Sequence, residues 1–155
     1  MTEFTNGYFQ MMHDIIDGYE KAKALRAAET KDLIARNDRE GLRAWNDREK
    51  GFKFPFSKGY TLAYQSWLDM VRFETGIITV GELPWEEDVH DFVSCYREAA
   101  VSEFAIVTQS PFLTASLHYF SKEGCNIKGL CEVTFTDSRL PKVKVETRKG
   151  ILMSL

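Results

Sequence analysis

Residues 77–135 read IITVGELPWEEDVHDFVSCYREAAVSEFAIVTQSPFLTASLHYFSKEGCNIKGLCEVTF, and this stretch decides the fold. Ile77–Val80 and Phe104–Val107 are short apolar runs of the kind that is buried on both faces of a sheet, and each precedes a segment with helical periodicity. Leu130–Phe135 is a third strand-like run. Strands that alternate with helices need crossover connections, which place the strands parallel beneath their helices. The stretch therefore predicts a βαβαβ unit.

The two helices of this unit carry start signals at their amino ends. Pro84 and Trp85 are followed by the acidic run Glu86–Asp88, which suits the positive end of a helix dipole. Ser110 is followed by Pro111, which predicts a serine N-cap with proline at the first helical position. Both helices are therefore expected to begin soon after the strand that precedes them.

Residues 4–50 are helix-like, because they contain no proline and their apolar residues recur at helical spacing. The apolar stripe consists of Tyr8, Met12, Ile15, Tyr19 and Ala22. The segment is either one long helix or two helices divided near Asn37–Asp38 and Gly41. The stretch Phe52–Phe56 has three phenylalanines around a proline, and it is expected to pack the N-terminal helices onto the rest of the protein.

A further helix is predicted between Ser57 and Gly76, ahead of the βαβαβ unit. After the unit, Asp137–Pro141 is a turn cluster, and Lys142–Arg148 alternates charged and apolar residues as a half-exposed antiparallel edge strand does. Ile151–Leu155 is either a final strand or a docked tail.

These patterns together predict an α+β, or small α/β, protein. A helical N-terminal layer, residues 1–56, packs on an α/β body, residues 57–155, which contains a mixed sheet with the βαβαβ middle and a C-terminal antiparallel extension. No linker composition separates the two parts. The sequence therefore predicts a single domain over residues 1–155.

The composition is that of an ordinary globular protein, with 44% hydrophobic and 28% charged residues. A net charge of −3 argues against direct binding to nucleic acid or to a membrane surface, since both favour basic proteins. No apolar stretch approaches the ~18–20 residues of a membrane span, and the amino terminus lacks a signal-peptide pattern. Cys95, Cys125 and Cys131 are expected to be reduced thiols. These features predict a cytoplasmic protein.

Several short motifs of capping, turn and packing residues are spread over most of the chain. They are Leu42–Asn46, Phe54–Phe56, Glu82–Trp85, Asp91–Phe92, Glu103–Phe104, Thr108–Ser110, Gly124–Cys125 and Gly129–Leu130. In these motifs the chain resembles a group of small uncharacterised proteins associated with Firmicutes genomes and their mobile elements. The group has no assigned activity, so the resemblance implies a fold and no reaction. The association with mobile elements implies a protein that blocks a host defence, such as an anti-CRISPR or anti-restriction factor.

The first candidate site is the crevice beyond the carboxyl ends of the first two strands, which is the usual ligand position in open α/β sheets. It is expected to hold Glu82 and Trp85 from one loop, with Thr108, Gln109 and Ser110 from the next. The helix that follows Ser110 offers N–H groups that suit a small anion. Against an anion, Ser110 satisfies one of these donors as a cap, neither loop is rich in glycine, and the acids at the start of the other helix repel a phosphate.

The histidines and cysteines do not form a recognisable catalytic or metal site. The three histidines fall on three different predicted helices: His13, His90 and His118. No pair of them has a metal-ligand spacing such as His-x-x-x-His. Cys125 follows a helix C-terminus, where the dipole disfavours a thiolate, Cys95 lies in the middle of a helix, and Cys131 lies on a predicted core strand. The sequence therefore predicts no metal, no cofactor and no catalytic residue.

The second candidate is a surface on the N-terminal helices and the aromatic segment after them. Interface centres favour aromatic residues, and this region supplies several. The predicted partner-interface residues are Tyr8, Met12, Tyr19, Trp45, Phe52 and Phe54. The same residues suit equally well a role in covering the sheet within one subunit.

The function favoured by the sequence is that of a non-enzymatic cytoplasmic protein that binds a protein or ribonucleoprotein partner, either alone or as a homodimer through its N-terminal helices. An inhibitor of a bacterial defence complex, of the anti-CRISPR type and encoded by a mobile element or phage, fits this description. The alternative is a small-ligand-binding protein or an enzyme that uses the crevice at the carboxyl ends of the parallel strands.

Overall fold

The structure is a computed structural model, and it describes residues 6–137 and 144–155. Within these ranges the helices are α1 (Gly7–Ala35), α2 (Arg39–Arg48), α3 (Lys58–Phe73), α4 (Glu86–Glu98) and α5 (Leu113–Lys122). The strands are β1 (Thr79–Val80), β2 (Glu103–Ile106), β3 (Asn126–Asp137) and β4 (Lys144–Ser154). Helices dominate the N-terminal part and strands the C-terminal part, so the α+β fold class is confirmed.

The chain forms two compact units. One is Gln10–Pro55, and the other contains the residues up to Phe9 together with Phe56–Leu155. The single-domain organisation over residues 1–155 stays a prediction.

In the unit Gln10–Pro55, α1 and α2 are separate helices, which confirms the second of the two alternatives for this segment. Asn37 lies between them with a left-handed φ of 54°. Asp38 caps α2, because its side chain accepts a hydrogen bond of 2.8 Å from the backbone N–H of Gly41. The aromatic segment packs on α1 within this unit: the ring of Phe52 stacks on Tyr19, with 5.0 Å between centroids.

The other unit contains a mixed sheet with the strand order β1-β2-β4-β3. β1 and β2 are parallel, with Val80 opposite Ile106. β4 is antiparallel to both of its neighbours, β2 and β3. β3 therefore runs parallel to β2, as the βαβαβ pattern requires, but β4 lies between them.

The C-terminal antiparallel extension is confirmed, and it is longer than the sequence indicated. Ile151–Ser154 continues the strand that begins at Lys144, so the alternative of a final strand is correct for this part of the chain. Residues 151–154 pair with β2 on one side and with β3 on the other, whereas residues 144–150 pair with β3 alone among the described strands. Residues 144–148 therefore lie at an edge, as predicted for the segment that begins at Lys142. Residues 142 and 143 of that segment lie outside the described ranges.

The core of this unit lies on both faces of β2. Phe104, on the helix-covered face, is fully buried and its ring contacts those of Phe92, Tyr96 and Phe120. Ala105 and Val107, on the opposite face, belong to a buried cluster with Val133 and Phe135 of β3. Gly81 allows this second layer to lie close, because a Cβ atom at that position would be 2.6 Å from Cζ of Phe135. No helix in the described ranges combines the length and the apolar character needed to span a membrane.

Candidate binding cavity at the carboxyl ends of β1 and β2

A cavity of about 740 Å³ lies where the chain leaves the two parallel strands. The loop after β1 and the loop after β2 line it, together with the first turns of α4 and α5. All five residues predicted for the crevice are among its lining residues: Glu82, Trp85, Thr108, Gln109 and Ser110. We call it the strand-end cavity. Its volume is within the range of about 300–1,000 Å³ that is usual for small-molecule sites.

The loop after β2 is held by hydrogen bonds from its own side chains. Thr108 Oγ1 accepts a bond of 3.1 Å from the N–H of Ser110, and Ser110 Oγ accepts one of 3.2 Å from the N–H of Phe112. The prediction that Ser110 is the N-cap, with Pro111 at the first helical position, is wrong, because α5 begins at Leu113 with Phe112 as its N-cap. The serine closes a turn that precedes the helix. The N–H groups expected to cradle an anion therefore start two residues later, and that of Phe112 is already bonded.

Aromatic residues occupy the N-cap positions of both helices that start at the cavity. Trp85 precedes α4 and Phe112 precedes α5, and neither side chain makes a capping hydrogen bond. Both side chains line the cavity and are largely exposed, 60% for Trp85 and 63% for Phe112. Serine, threonine, aspartate or asparagine at an N-cap stabilises a helix by roughly 0.5–2 kcal/mol relative to alanine. These two positions therefore do not carry the residues that would best stabilise the helices.

The cavity is acidic. Glu82, Glu86 and Glu87 line it and are exposed, and among the described residues neither a lysine nor an arginine lines it. Across the part of the chain that the structure describes, these three carboxylates have no salt-bridge partner. The same part holds no group of three or more histidine, cysteine, aspartate and glutamate side chains that could bind a metal ion.

A second, smaller cavity of about 350 Å³ shares Thr108 and Gln109 with the strand-end cavity. Its other lining includes Arg148 and Lys149 of β4. Arg148 forms an ion pair with Glu146, and its guanidinium lies 4.6 Å from the ring centroid of Phe135. The loop after β2 therefore separates an acidic, aromatic cavity from a cavity with basic residues.

The residues predicted for a partner interface lie in different environments. Met12 is fully buried, and Trp45 is half-buried. Tyr19 is brought together with Phe52 and with Phe54, whose ring centroid lies 5.2 Å from that of Tyr19. The interface stays a prediction.

Tyr8, the remaining predicted interface residue, has a pKa raised well above its usual value, first by burial and then by a hydrogen bond with the carboxylate of Glu98. The large apolar side chains that are most exposed in the unit Gln10–Pro55 are instead Leu25 and Ile34, which the sequence analysis did not select.

Cys95 and Cys125 are not activated as nucleophiles. Burial raises the pKa of the Cys95 thiol to about 12, and burial also raises the pKa of Cys125. A thiol in such surroundings remains protonated at neutral pH, so it is a poor nucleophile. Neither residue lines the strand-end cavity.

His90 of α4 forms an ion pair with Glu123, with 3.0 Å between Nδ1 and Oε2. The hydrogen bond to Glu123 is the main cause that raises the pKa of His90 above 6.5. Because the folded-state pKa is the higher one, this pair stabilises the fold fully below pH ~6.5, and its contribution disappears as the pH rises through the raised pKa.

We expect Glu123→Gln to lower the pKa of His90, measured by NMR titration of its ring protons. Asp17→Asn, which removes the carboxylate paired with Lys21, is the control, and an unchanged His90 pKa in Glu123→Gln would contradict the assignment.

Several cavity residues were missed by the sequence analysis, among them Phe112 and Tyr119. Phe112 is the N-cap of α5 and Tyr119 lies within this helix, whose start the serine–proline signal placed two residues too early. From the sequence alone, Glu86 and Glu87 are predicted only to start a helix and to repel a phosphate. The signal that could have identified them is the concentration of acids beside Trp85.

A family model described as a domain of unknown function (DUF7698) matches residues 62–155, which include both loops of the strand-end cavity. Comparison with curated proteins and with solved structures gave no match.

Proposed function

The chain belongs to the DUF7698 family of domains of unknown function, and we propose that it is a non-enzymatic binding protein whose recognition site is the strand-end cavity. The observation that carries this proposal is that Trp85 and Phe112 line one cavity while about three-fifths of each side chain remains exposed. Large aromatic side chains are normally buried, and tryptophan in particular is enriched among the residues that contribute most binding energy at interfaces.

The proposed partner is a macromolecule, either a protein or a ribonucleoprotein of a bacterial cytoplasm. The resemblance to proteins of Firmicutes mobile elements supports an inhibitor of a host defence complex, of the anti-CRISPR type. An inhibitor needs a rigid surface and no catalytic group, and the cavity is built on helix starts and strand ends rather than on a long loop. A homodimer through the N-terminal helices is compatible with this proposal and is tested by light scattering.

A second candidate is the binding of a small ligand in the same cavity. Its volume of about 740 Å³ favours this candidate, since it accommodates a whole small molecule. A small ligand would raise the melting temperature of the isolated protein without any partner. A macromolecular partner would instead be captured from a cell extract.

The experiment is a capture from bacterial lysate with three forms of the protein: wild type, the double variant Trp85→Ala/Phe112→Ala, and Leu130→Ala. Leu130 is a matched control, because it is 81% exposed and does not line the cavity. We expect the wild type and Leu130→Ala to capture the same partner and the double variant to capture at least about ten-fold less of it. The reason is that the few residues that dominate an interface, among which tryptophan is enriched, each contribute about 2 kcal/mol or more. Equal capture by the double variant would exclude the cavity as the site, and no specific capture by any form would exclude a macromolecular partner from that lysate.

A further inference from the structure

The strand-end cavity has the charge and the walls of a site for an organic cation. We propose that it binds an ammonium or guanidinium group together with the apolar stem that carries it. This inference rests on the proposed function, and it names the chemistry of the group that enters the cavity.

The negative charge of the cavity favours a positively charged ligand. Three carboxylates line it, those of Glu82, Glu86 and Glu87, and no basic residue within residues 6–137 and 144–155 does so. A bound cation would supply the counter-charge that these side chains lack within the described ranges. An anion would instead meet repulsion from all three.

The residues that line the cavity favour an organic cation over a metal ion. Across the described residues, no three potential metal ligands of the carboxylate, histidine or cysteine type come close enough together to hold a metal. Aromatic faces attract ammonium and guanidinium groups through their quadrupoles, and tryptophan does so most strongly. Trp85, Phe112 and Tyr119 contribute aromatic rings to the lining, together with the apolar side chain of Leu83 for the stem.

Helix stability explains only part of this arrangement. Glu86 and Glu87 lie in the first turn of α4, where negative charge stabilises the helix dipole. Glu82 lies before the helix, so its carboxylate does not have that role. Trp85 and Phe112 occupy N-cap positions without capping them. Glu82 is therefore the residue whose charge best separates ligand binding from helix stabilisation.

The neighbouring smaller cavity is lined by Lys149 and by the ion pair of Arg148 with Glu146. Arg148 and Lys149 lie on the other side of the residues that the two cavities share, Thr108 and Gln109. Because Glu146 offsets the charge of Arg148, Lys149 is the residue of this cavity that is expected to oppose a cation bound nearby. Removing the charge of Lys149 should therefore strengthen binding of a cation slightly, whereas removing the charge of Glu82 should weaken it.

The test is a titration followed by NMR, with the backbone amides of Glu82 and Phe112 and the indole N–H of Trp85 as reporters. One probe is the capped peptide acetyl-Gly-Lys-Gly-amide, its control is the same peptide with the lysine acetylated, and the other probe is tetramethylammonium chloride. We expect the charged peptide to shift these signals and the acetylated peptide to leave them unchanged at equal concentration. Binding of tetramethylammonium as tight as that of the peptide would indicate a free small amine as the natural ligand, and tighter binding of the peptide would indicate a lysine or arginine side chain of a partner.

Each variant has an expected effect on the dissociation constant of the charged peptide. Glu82→Gln should raise the dissociation constant of the charged peptide by about three- to five-fold, which is the size of a partly exposed charge interaction. Trp85→Ala should raise it by about five-fold or more, and Lys149→Gln should lower it slightly. Thermal melts of each variant establish that it is folded. Equal shifts with the charged and acetylated peptides, or an unchanged dissociation constant in Glu82→Gln, would overturn the inference.

Failure of this inference is distinguishable from failure of the proposed function. If Trp85→Ala/Phe112→Ala loses partner capture while Glu82→Gln retains it and the charged peptide does not bind, the cavity is the recognition site but the group it binds is not a cation. If the double variant retains capture, the cavity is not the recognition site.

Discussion

Replacing Phe104 by alanine is expected to lower the free energy of unfolding by about 3–5 kcal/mol, the usual cost of removing a fully buried phenylalanine. Phe104 has no exposed surface, and its ring centroid lies 5.5 Å from those of Tyr96 and Phe120. The substitution leaves a cavity between β2 and the helices α4 and α5, and the rigid strand pairing of β2 on both sides limits its collapse. Urea denaturation followed by circular dichroism measures the loss.

Phe112→Ala is the matched control for this experiment. It removes the same side chain from a position that is 63% exposed, so the free energy of unfolding should change by no more than about 0.5 kcal/mol. A comparable loss in both variants would mean that the packing around β2 is not what stabilises this unit.

Replacing Gly59 by alanine is expected to lower the free energy of unfolding by about 1–3 kcal/mol, which is typical of overpacking. Gly59 is buried at the start of α3, where that helix meets α4. A Cβ atom there would lie 2.5 Å from the carbonyl oxygen of Asp88 and 2.9 Å from the backbone nitrogen of Phe92. Backbone atoms of a helix cannot move aside separately, so α3 and α4 must separate.

Gly18→Ala is the control, and it is expected to raise the free energy of unfolding where Gly59→Ala lowers it. Gly18 lies within α1, is exposed, and a Cβ atom there would meet no heavy atom within 4 Å. Alanine is a better helix former than glycine by about 1 kcal/mol, so this variant should be stabilised by up to that amount. Destabilisation by both substitutions, or by neither, would contradict the close helix contact at Gly59.

The features that could be predicted from the sequence are those with local causes. The division between α1 and α2 follows from Asn37, which tolerates a left-handed conformation, and from Asp38, whose side chain caps the next helix. The gathering of Glu82, Trp85 and Ser110 follows from topology, because loops that leave neighbouring parallel strands meet at one edge of the sheet.

The features that could not be predicted depend on choices between competing interactions. The Ser110–Pro111 signal allows a helix cap, but the serine hydroxyl bonds the N–H of Phe112 in a turn ahead of α5. Phe112 is consequently an exposed cavity residue rather than part of a helix face. The position of β4 between β2 and β3 rests on pairing between residues far apart in sequence, for which alternation of charged and apolar residues carries no information about the partner.

The place of β4 also dictates when the sheet can be completed during synthesis. β4 is made after β3, yet it is β4 that joins β3 to β2. Until residues 144–154 have left the ribosome, β1 and β2 can pair with each other, while β3 lacks its only hydrogen-bonded neighbour among the described strands. The nascent chain therefore presents open strand edges, which are templates for aggregation.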